Sequence, residues 1–159
     1  MTFPIPTRIG NHPIHPMLIP FPIALWIFSF VCDVVYALGW GGPIWLEMGF
    51  YTMGGGILGA LAAAIFGLGD YLSLTEPATI RVGKAHMLLN LAIVALYVVN
   101  FLLRLWTAGG AGTIVLSAVA LVLLGVSGWL GGELVYVHGV AVDGSSARRI
   151  TVKGKTTAA

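Results

Sequence analysis

The chain has 159 residues, of which 58% are hydrophobic and only 9% are charged, and its formal net charge is +2. An average soluble domain is about 45–50% apolar and about 25% charged, so this composition excludes a soluble globular domain. Intrinsic disorder needs low hydrophobicity, and a disulfide scaffold needs more than the single cysteine found here. The chain is therefore expected to be a small integral membrane protein.

Four apolar windows are each long enough to cross a bilayer core as a helix, which takes about 20 residues. The first window holds one charged residue, Asp33, and the second is rich in glycine and alanine. None of them alternates as the strands of a membrane barrel would. The predicted fold is all-α, a four-helix transmembrane bundle, with spans over residues 17–38, 47–69, 85–106 and 113–136.

The links between these spans define the expected organisation of the chain. The middle link, residues 71–84, is long and polar, and Pro77 is expected to break the helix there. We expect a proline-rich N-terminal segment over residues 1–16 with the motif HPIHP, a transmembrane domain over residues 17–138, and a basic tail over residues 139–159. No repeat of about 20–50 residues is visible, although two helical hairpins would allow a weak twofold pattern.

Basic residues lie almost entirely on one side of the predicted bundle. With four spans, both termini and the middle link share a side, which we call the basic side; the opposite side has only Arg104. The positive-inside rule makes the basic side cytoplasmic, in a bacterial inner membrane. No aromatic residues are interleaved with these charges, so they indicate contact with lipid headgroups and no nucleic-acid partner. The basic residues are Arg8, Arg81, Lys84, Arg148, Arg149, Lys153 and Lys155.

All four histidines fall on the basic side, although they are widely separated along the chain. His12 and His15 precede the first span, His86 opens the third, and His138 follows the fourth. Asp70, at the end of the second span, reaches the same level. Ionisable groups within a membrane are functional candidates by default, so this arrangement predicts metal or haem ligation. The alternative is that these histidines only cap helices or lie among lipid headgroups.

Four blocks of sequence stand out: HPIHPMLIPFPIALWIFSFVCD, GLGDYLSL, GKAHMLLN and GGELVYVHGVAV. They resemble the signature blocks of a bacterial family of small four-helix membrane proteins that is catalogued as a domain of unknown function. Some relatives are joined to Rieske iron–sulfur domains, and the bundle is similar to b-type cytochromes. The resemblance therefore implies redox work, with a Rieske protein, another redox protein or a quinone as partner. Its polar signature residues are His12, His15, Asp33, Asp70, His86, Asn90 and His138.

Haem b is the first cofactor that fits these residues, because its iron takes two axial imidazoles. His86 would be one axial ligand, with His15 or His138 opposite and His12 as a further candidate. One face of the second span carries only small residues at every fourth position and would offer a flat wall to the porphyrin. The alternative use of this stripe is close helix packing. The stripe consists of Gly55, Gly59, Ala63 and Gly67.

A non-haem metal is the second possibility. Three or four of the imidazoles together with the Asp70 carboxylate suit iron, copper, zinc or manganese. Asn90 lies one turn after His86 and would orient that ring from the second coordination shell. The spacings HExxH and ExxH do not occur in the sequence, which excludes the signatures of metalloproteases and carboxylate di-iron proteins. Catalytic residues, and enzymatic activity itself, are left undecided.

Asp33 and Arg104 are predicted to form a pair near the opposite side, either as a stabilising bridge or within a polar track for protons or ions. Two main hypotheses follow for the whole chain. It is a redox or metal-binding membrane subunit, or a non-catalytic structural or assembly subunit. A proton- or ion-coupled transporter is a weaker alternative, because few titratable groups lie at mid-depth. A homo-oligomer formed through the glycine-rich faces is left open.

Overall fold

The computed structural model describes residues 4–107 and 109–142, most of which are helical. A short antiparallel hairpin at the N-terminus joins β1 (Arg8–Ile9) to β2 (His12–Pro13) through a turn at Gly10, where φ is +59°. This hairpin is not predicted from the sequence. The helices that follow are α1 (Ile14–Leu18), α2 (Pro20–Ala37), α3 (Ile44–Leu72), α4 (Pro77–Thr107) and α5 (Ala111–Tyr136).

Four segments are long and apolar enough to cross a bilayer, which confirms the predicted four-helix transmembrane fold. The first comprises α1 and α2 together, over Ile14–Ala37, and the others are α3, α4 and α5. Large apolar side chains such as Leu58, Val122 and Trp129 point outward from the bundle. Because these helices lie in a bilayer, such side chains meet lipid and need no protein cover.

The middle link is much shorter than the sequence predicts. The sequence predicts a link over residues 71–84 in which Pro77 interrupts the helix. In the structure, α3 continues to Leu72 and Pro77 is the first residue of α4. Proline fits the first turn of a helix because its missing N–H group would have no helical partner there. The Glu76 carboxylate accepts hydrogen bonds from the Ala78 and Thr79 amides and caps the same turn.

At the N-terminal end of the membrane domain, the first candidate span begins at Ile14, slightly before the predicted start at residue 17, so His15 lies in helix α1. Most of the predicted basic tail, from residue 143 onward, lies outside the described residues. Of that tail, the structure therefore describes only the turn that follows α5.

The two helical hairpins, α2–α3 and α4–α5, make equivalent contacts. His15 Nδ1 lies 2.8 Å from the Ala63 carbonyl oxygen, and His86 Nδ1 lies 2.9 Å from the Ser127 carbonyl oxygen. In both cases the histidine precedes a hairpin's first helix or lies in it, and the carbonyl belongs to the second helix. His15 and His86 are thus equivalent residues of the two hairpins, and they are 71 positions apart in the sequence. Asp33 and Arg104 are separated by the same 71 positions.

A second hydrogen bond is repeated in the two hairpins, and its donors are again 71 positions apart. The Ser29 hydroxyl donates to the Gly49 carbonyl oxygen at 2.7 Å, and the Asn100 amide donates to the Thr113 carbonyl oxygen at 2.8 Å. Different side chains thus make the same link between the two helices of each hairpin. The weak twofold pattern that the sequence only allows is therefore present as a repeat of contacts.

Equivalent residues of the two hairpins meet each other at the centre of the bundle. The rings of Trp26 and Tyr97 stack with centroids 4.1 Å apart, and Asp33 pairs with Arg104. Residues that contact their own equivalents lie beside an approximate twofold axis. Since both hairpins start on the basic side, this axis runs along the membrane normal, as in transporters built from parallel repeats.

The apolar core surrounds this axis at mid-membrane depth. Along α4 the fully buried Ile93 lies between Asn90 and Tyr97, and along α5 the buried Ala120 separates Ser117 from Ser127. The polar residues are consequently divided into one group on the basic side and one on the opposite side. The buried apolar residues of this core are Trp26, Met53, Ile57, Ile93, Tyr97 and Ala120.

Candidate functional site

The ring of His15 is fixed against helix α3 by one hydrogen bond. Its Nδ1 atom lies 2.8 Å from the Ala63 carbonyl oxygen. A carbonyl oxygen can only accept, so Nδ1 carries the hydrogen and Nε2 of the neutral ring holds a lone pair. Gly67, one turn further along α3, makes room for the ring, because a Cβ atom there would lie 2.8 Å from Nδ1.

The ring of His86 is held against α5 in the same way. Its Nδ1 atom donates to the Ser127 carbonyl oxygen at 2.9 Å. Gly131, one turn further along α5, makes room for this ring, since its Cβ atom would lie 3.2 Å from His86 Cε1. The Asn90 amide donates to His86 Nε2 at 3.1 Å and to the His86 carbonyl oxygen at 2.8 Å. Nε2 of His86 therefore also holds a lone pair.

His15 and His86 occupy equivalent positions in the two hairpins. Both side chains are half-buried. In metal sites of proteins, a ligating histidine typically donates its other N–H group to a carbonyl or carboxylate, which fixes the tautomer and the orientation of the ring. Both rings meet this requirement through Nδ1, and the atom that each would offer to a metal is Nε2.

His138 belongs to a separate contact between the end of α5 and the start of α4. Gly139, with φ of +66°, turns the chain after α5, and His138 Nδ1 then lies 3.0 Å from Thr79 Oγ1. The Thr79 hydroxyl donates to the Glu76 carboxylate at 2.6 Å, so its oxygen accepts from His138. Because this hydroxyl proton points to a carboxylate and not to the imidazole, Thr79 is not arranged as a nucleophile.

The structure does not gather all the predicted ligands. His12 is exposed in β2, and Asp70 is half-buried near the end of α3. Within residues 4–107 and 109–142, no three His, Cys, Asp or Glu side chains are grouped so that they could hold a metal ion. A site made of three or four imidazoles with Asp70 is thus not formed in this part of the chain. The two candidate ligands that the hairpins hold in equivalent positions are His15 and His86.

The stripe of small residues on α3 is a packing surface. A Cβ atom on Gly59 would lie 3.3 Å from Pro22 Cδ, and Gly67 lies under the ring of His15. The first span thus covers the face that was considered as a wall for a porphyrin. The helix-packing interpretation of this stripe is the one that the structure shows.

On the opposite side, Asp33 and Arg104 form the bidentate pair that the sequence predicts. The two nitrogen–oxygen distances are 2.7 and 2.5 Å, and each side chain is only 3% exposed. Arg104 Nε donates to Asn100 Oδ1 at 3.1 Å, and the Asn100 amide donates to Ser117 Oγ at 2.9 Å. The buried charges therefore have their hydrogen-bond partners, which a pair in a low-dielectric interior requires.

Several residues of these sites were not identified from the sequence. Ser127 and Ala63 act through backbone carbonyls, for which side-chain type gives no signal. Gly131 does belong to the block GGELVYVHG, and a glycine one turn from a packed helix contact is a usable indication. An acidic residue directly before a proline, as in Glu76-Pro77, is a recognised helix start and could have located the cap.

The cap at the start of α4 predicts a dependence of stability on pH. Hydrogen bonds from the Thr79 hydroxyl and from the Thr79 and Ala78 amides lower the pKa of Glu76 from 4.5 to about 2. The cap therefore stabilises the fold fully above pH 4.5 and is lost as the pH falls towards 2. We expect amide exchange at Ala78 and Thr79 to quicken across this window in the wild-type protein.

The matched variant is Glu76→Gln, which keeps the size of the side chain and removes its titration. In this variant the same amides should exchange faster at neutral pH and show little further change between pH 4.5 and 2. A wild-type exchange profile that is flat over this window, once corrected for intrinsic exchange, would contradict the role given to Glu76.

Comparison with known proteins identifies a family for most of the chain. A family model described as "Predicted membrane protein (DUF2231)" matches residues 11–144. No curated protein and no solved structure matches the chain. The matched range includes the polar residues on both sides of the apolar core: His15, His86 and Asn90 on the basic side, and Asp33, Asn100 and Arg104 on the opposite side.

Proposed function

The chain belongs to the DUF2231 family of predicted membrane proteins, and we propose that it is a membrane subunit in which His15 and His86 bind a redox-active metal cofactor. The observation that carries the proposal is the common tautomer of the two rings. Each Nδ1 atom donates to a backbone carbonyl, which leaves a lone pair on each Nε2 atom, the form in which histidine binds metals.

Haem b is the cofactor that two such ligands suit best. Its iron takes two axial imidazoles, and His15 and His86 are equivalent residues of the two hairpins with the same tautomer. Bound haem would supply one-electron transfer, with a Rieske protein, another redox protein or a quinone as its partner. His15 and His86 would hold the iron through their Nε2 atoms, and the carbonyls of Ala63 and Ser127 would keep both rings oriented.

A single ion of iron, copper, zinc or manganese is the alternative cofactor. Such ions usually take three or more protein ligands. His12, His138 and Asp70 are the remaining candidates to complete the set. Since these residues do not join His15 and His86 within the described part of the chain, haem is the stronger choice.

A second candidate function is a structural or assembly subunit without a cofactor, and one specific observation favours it. The Asn90 amide already donates to His86 Nε2 at 3.1 Å, so this lone pair has a partner without any metal. In that case both histidines serve to join their helices through Nδ1. A proton- or ion-coupled transporter remains the weaker alternative, since the apolar layer around Ile93 and Ala120 separates the two polar groups.

The visible absorption spectrum distinguishes the first two functions. Protein purified in detergent from haem-replete cells is expected to show a Soret band, with sharp bands after reduction by dithionite. His86→Ala should abolish these bands because one axial ligand is lost. His138→Ala is the matched control and should keep them, since His138 bonds to Thr79 away from the pair. A featureless wild-type spectrum would exclude the cytochrome function.

The charge distribution supports a location in a bacterial inner membrane with both termini in the cytoplasm. A tag at the C-terminus should then be cut by an added protease in inverted membrane vesicles and should be protected in intact spheroplasts. The reverse pattern of protection would contradict this orientation, and with it the assignment of the His15–His86 pair to the cytoplasmic half of the bundle.

A further inference from the structure

The buried hydroxyl group of Tyr97 takes part in none of the hydrogen bonds described above. The residue is 1% exposed, and no polar atom of the described residues lies within hydrogen-bond distance of its Oη atom. Trp26, its equivalent in the first hairpin, donates its indole N–H to the Met53 carbonyl oxygen. Buried polar groups almost always have a partner, and lipid supplies none. The hydroxyl of Tyr97 therefore points to a ligand between the helices.

The surroundings of this hydroxyl can both donate and accept hydrogen bonds. Tyr97 and Arg104 are seven residues apart and share one face of α4, and Trp26, which stacks on Tyr97, likewise shares a face of α2 with Asp33. Three N–H groups of Arg104 are engaged, one with Asn100 and two with the carboxylate, so its remaining N–H groups are available. Each Asp33 oxygen accepts one bond from Arg104 and has a further lone pair. A small ligand that both donates and accepts is the kind that such a site takes.

We propose that Tyr97, Asp33 and Arg104 hold one or more internal water molecules, which connect the Tyr97 hydroxyl to the ion pair. Water fits because each molecule makes about three hydrogen bonds to otherwise unpaired buried groups. A crevice of about 500 Å³ opens at the turn between α4 and α5 on the opposite side, and Thr113 lines it. The carbonyl of Thr113 accepts from Asn100, which in turn accepts from Arg104.

This hydration would end at the apolar layer. Ile93, one turn from Tyr97 towards the basic side, is fully buried, and on α3 the buried Ile57 lies one turn beyond Met53 in the same direction. The opposite half of the bundle would thus contain water down to Tyr97, while the layer between the two polar groups stays dry. This inference is independent of any cofactor at His15 and His86.

X-ray hydroxyl-radical labelling in water enriched in oxygen-18 tests the proposal on the full-length protein in lipid nanodiscs. Radicals form from water in place, so a buried side chain beside a bound water is labelled although bulk solvent does not reach it. We expect Tyr97 to be labelled far more strongly than Phe28, which is 40% exposed near the middle of the first span and serves as the dry reference. Labelling of Tyr97 no stronger than that of Phe28 would overturn the proposal.

Tyr97→Phe is the matched variant, because phenylalanine keeps a reactive ring and removes only the hydroxyl. If this hydroxyl holds the water, labelling at position 97 should fall several-fold, and the thermal midpoint of unfolding should drop. If the hydroxyl simply lacks a partner, labelling should be low in both proteins, and the variant should unfold at a higher temperature than the wild type, because an unpaired polar atom has been removed. That second result would overturn the proposal.

Discussion

Replacing either Asp33 or Arg104 alone, as in Asp33→Leu or Arg104→Leu, is expected to destabilise the bundle by about 3–5 kcal/mol. Each substitution leaves the other charge without its partner in a site where both side chains are only 3% exposed. Loss of Arg104 also removes the donor to Asn100. The measurement is the free energy of unfolding, from equilibrium unfolding in mixed micelles of a mild detergent and SDS.

Two double variants separate the ion pair from the general effect of mutation. Asp33→Arg with Arg104→Asp exchanges the charges between positions that are equivalent in the two hairpins, so most of the lost stability should return. Asp33→Leu with Arg104→Leu removes both charges and should cost far less than the sum of the single changes. Additive losses in both double variants would show that the pair contributes no specific coupling.

Gly56→Ala is expected to destabilise the protein by about 1–3 kcal/mol, as other overpacked cores are. A Cβ atom at position 56 would lie 2.5 Å from both Cδ1 and Nε1 of Trp26. The indole ring has little freedom to move, because it is 2% exposed, stacks on Tyr97 and donates to the Met53 carbonyl oxygen. The same unfolding assay measures the effect.

The matched control for this prediction is Gly128→Ala on α5. Position 128 is exposed, and a Cβ atom there would have no described atom within 4 Å beyond its own helix neighbours. Alanine also favours a helix over glycine by up to about 1 kcal/mol, so this variant should be as stable as the wild type or slightly more stable. Equal destabilisation by the two substitutions would mean that Trp26 does not fix the approach of α2 to α3.

The fold could be predicted from the sequence because lipid constrains it strongly. Apolar windows of sufficient length identify the four spans, and a helix rise of about 1.5 Å per residue places Asp33 and Arg104 at the same depth. Two unpaired charges at one depth in a membrane are expected to meet, and they do. The sequence does not predict the start of α4, because Pro77 can either interrupt a helix or, with its fixed φ angle, begin one, and in the structure it begins α4.

The candidate site could be predicted only in part, because depth in the membrane does not determine position around the bundle. All four histidines and Asp70 belong to the basic side, yet among the described residues only His15 and His86 donate from Nδ1 to a carbonyl of the second helix of a hairpin, while His12 is in the strand pair before α1. The tautomers depend on the carbonyls of Ala63 and Ser127, and a sequence carries no signal for a particular backbone oxygen.

The twofold repeat was hidden for a related physical reason. Ser29 and Asn100 make the same interhelical bond with different side chains. Asp33 and Arg104 are equivalent in position and opposite in charge, since two like charges could not meet across the axis. A comparison of residue types along the chain does not detect equivalent positions that hold dissimilar amino acids, whereas the contacts show them directly.

The most direct test of the proposed function is the metal and porphyrin content of the purified protein. Elemental analysis and porphyrin extraction should be applied to wild-type protein and to the His15→Ala, His86→Ala double variant, both isolated from haem-replete cells. We expect a redox metal in near-stoichiometric ratio to the wild-type chain, with haem b as its carrier, and its loss from the double variant. Equal and negligible metal and porphyrin in both proteins would contradict it and would leave His15 and His86 as links between helices.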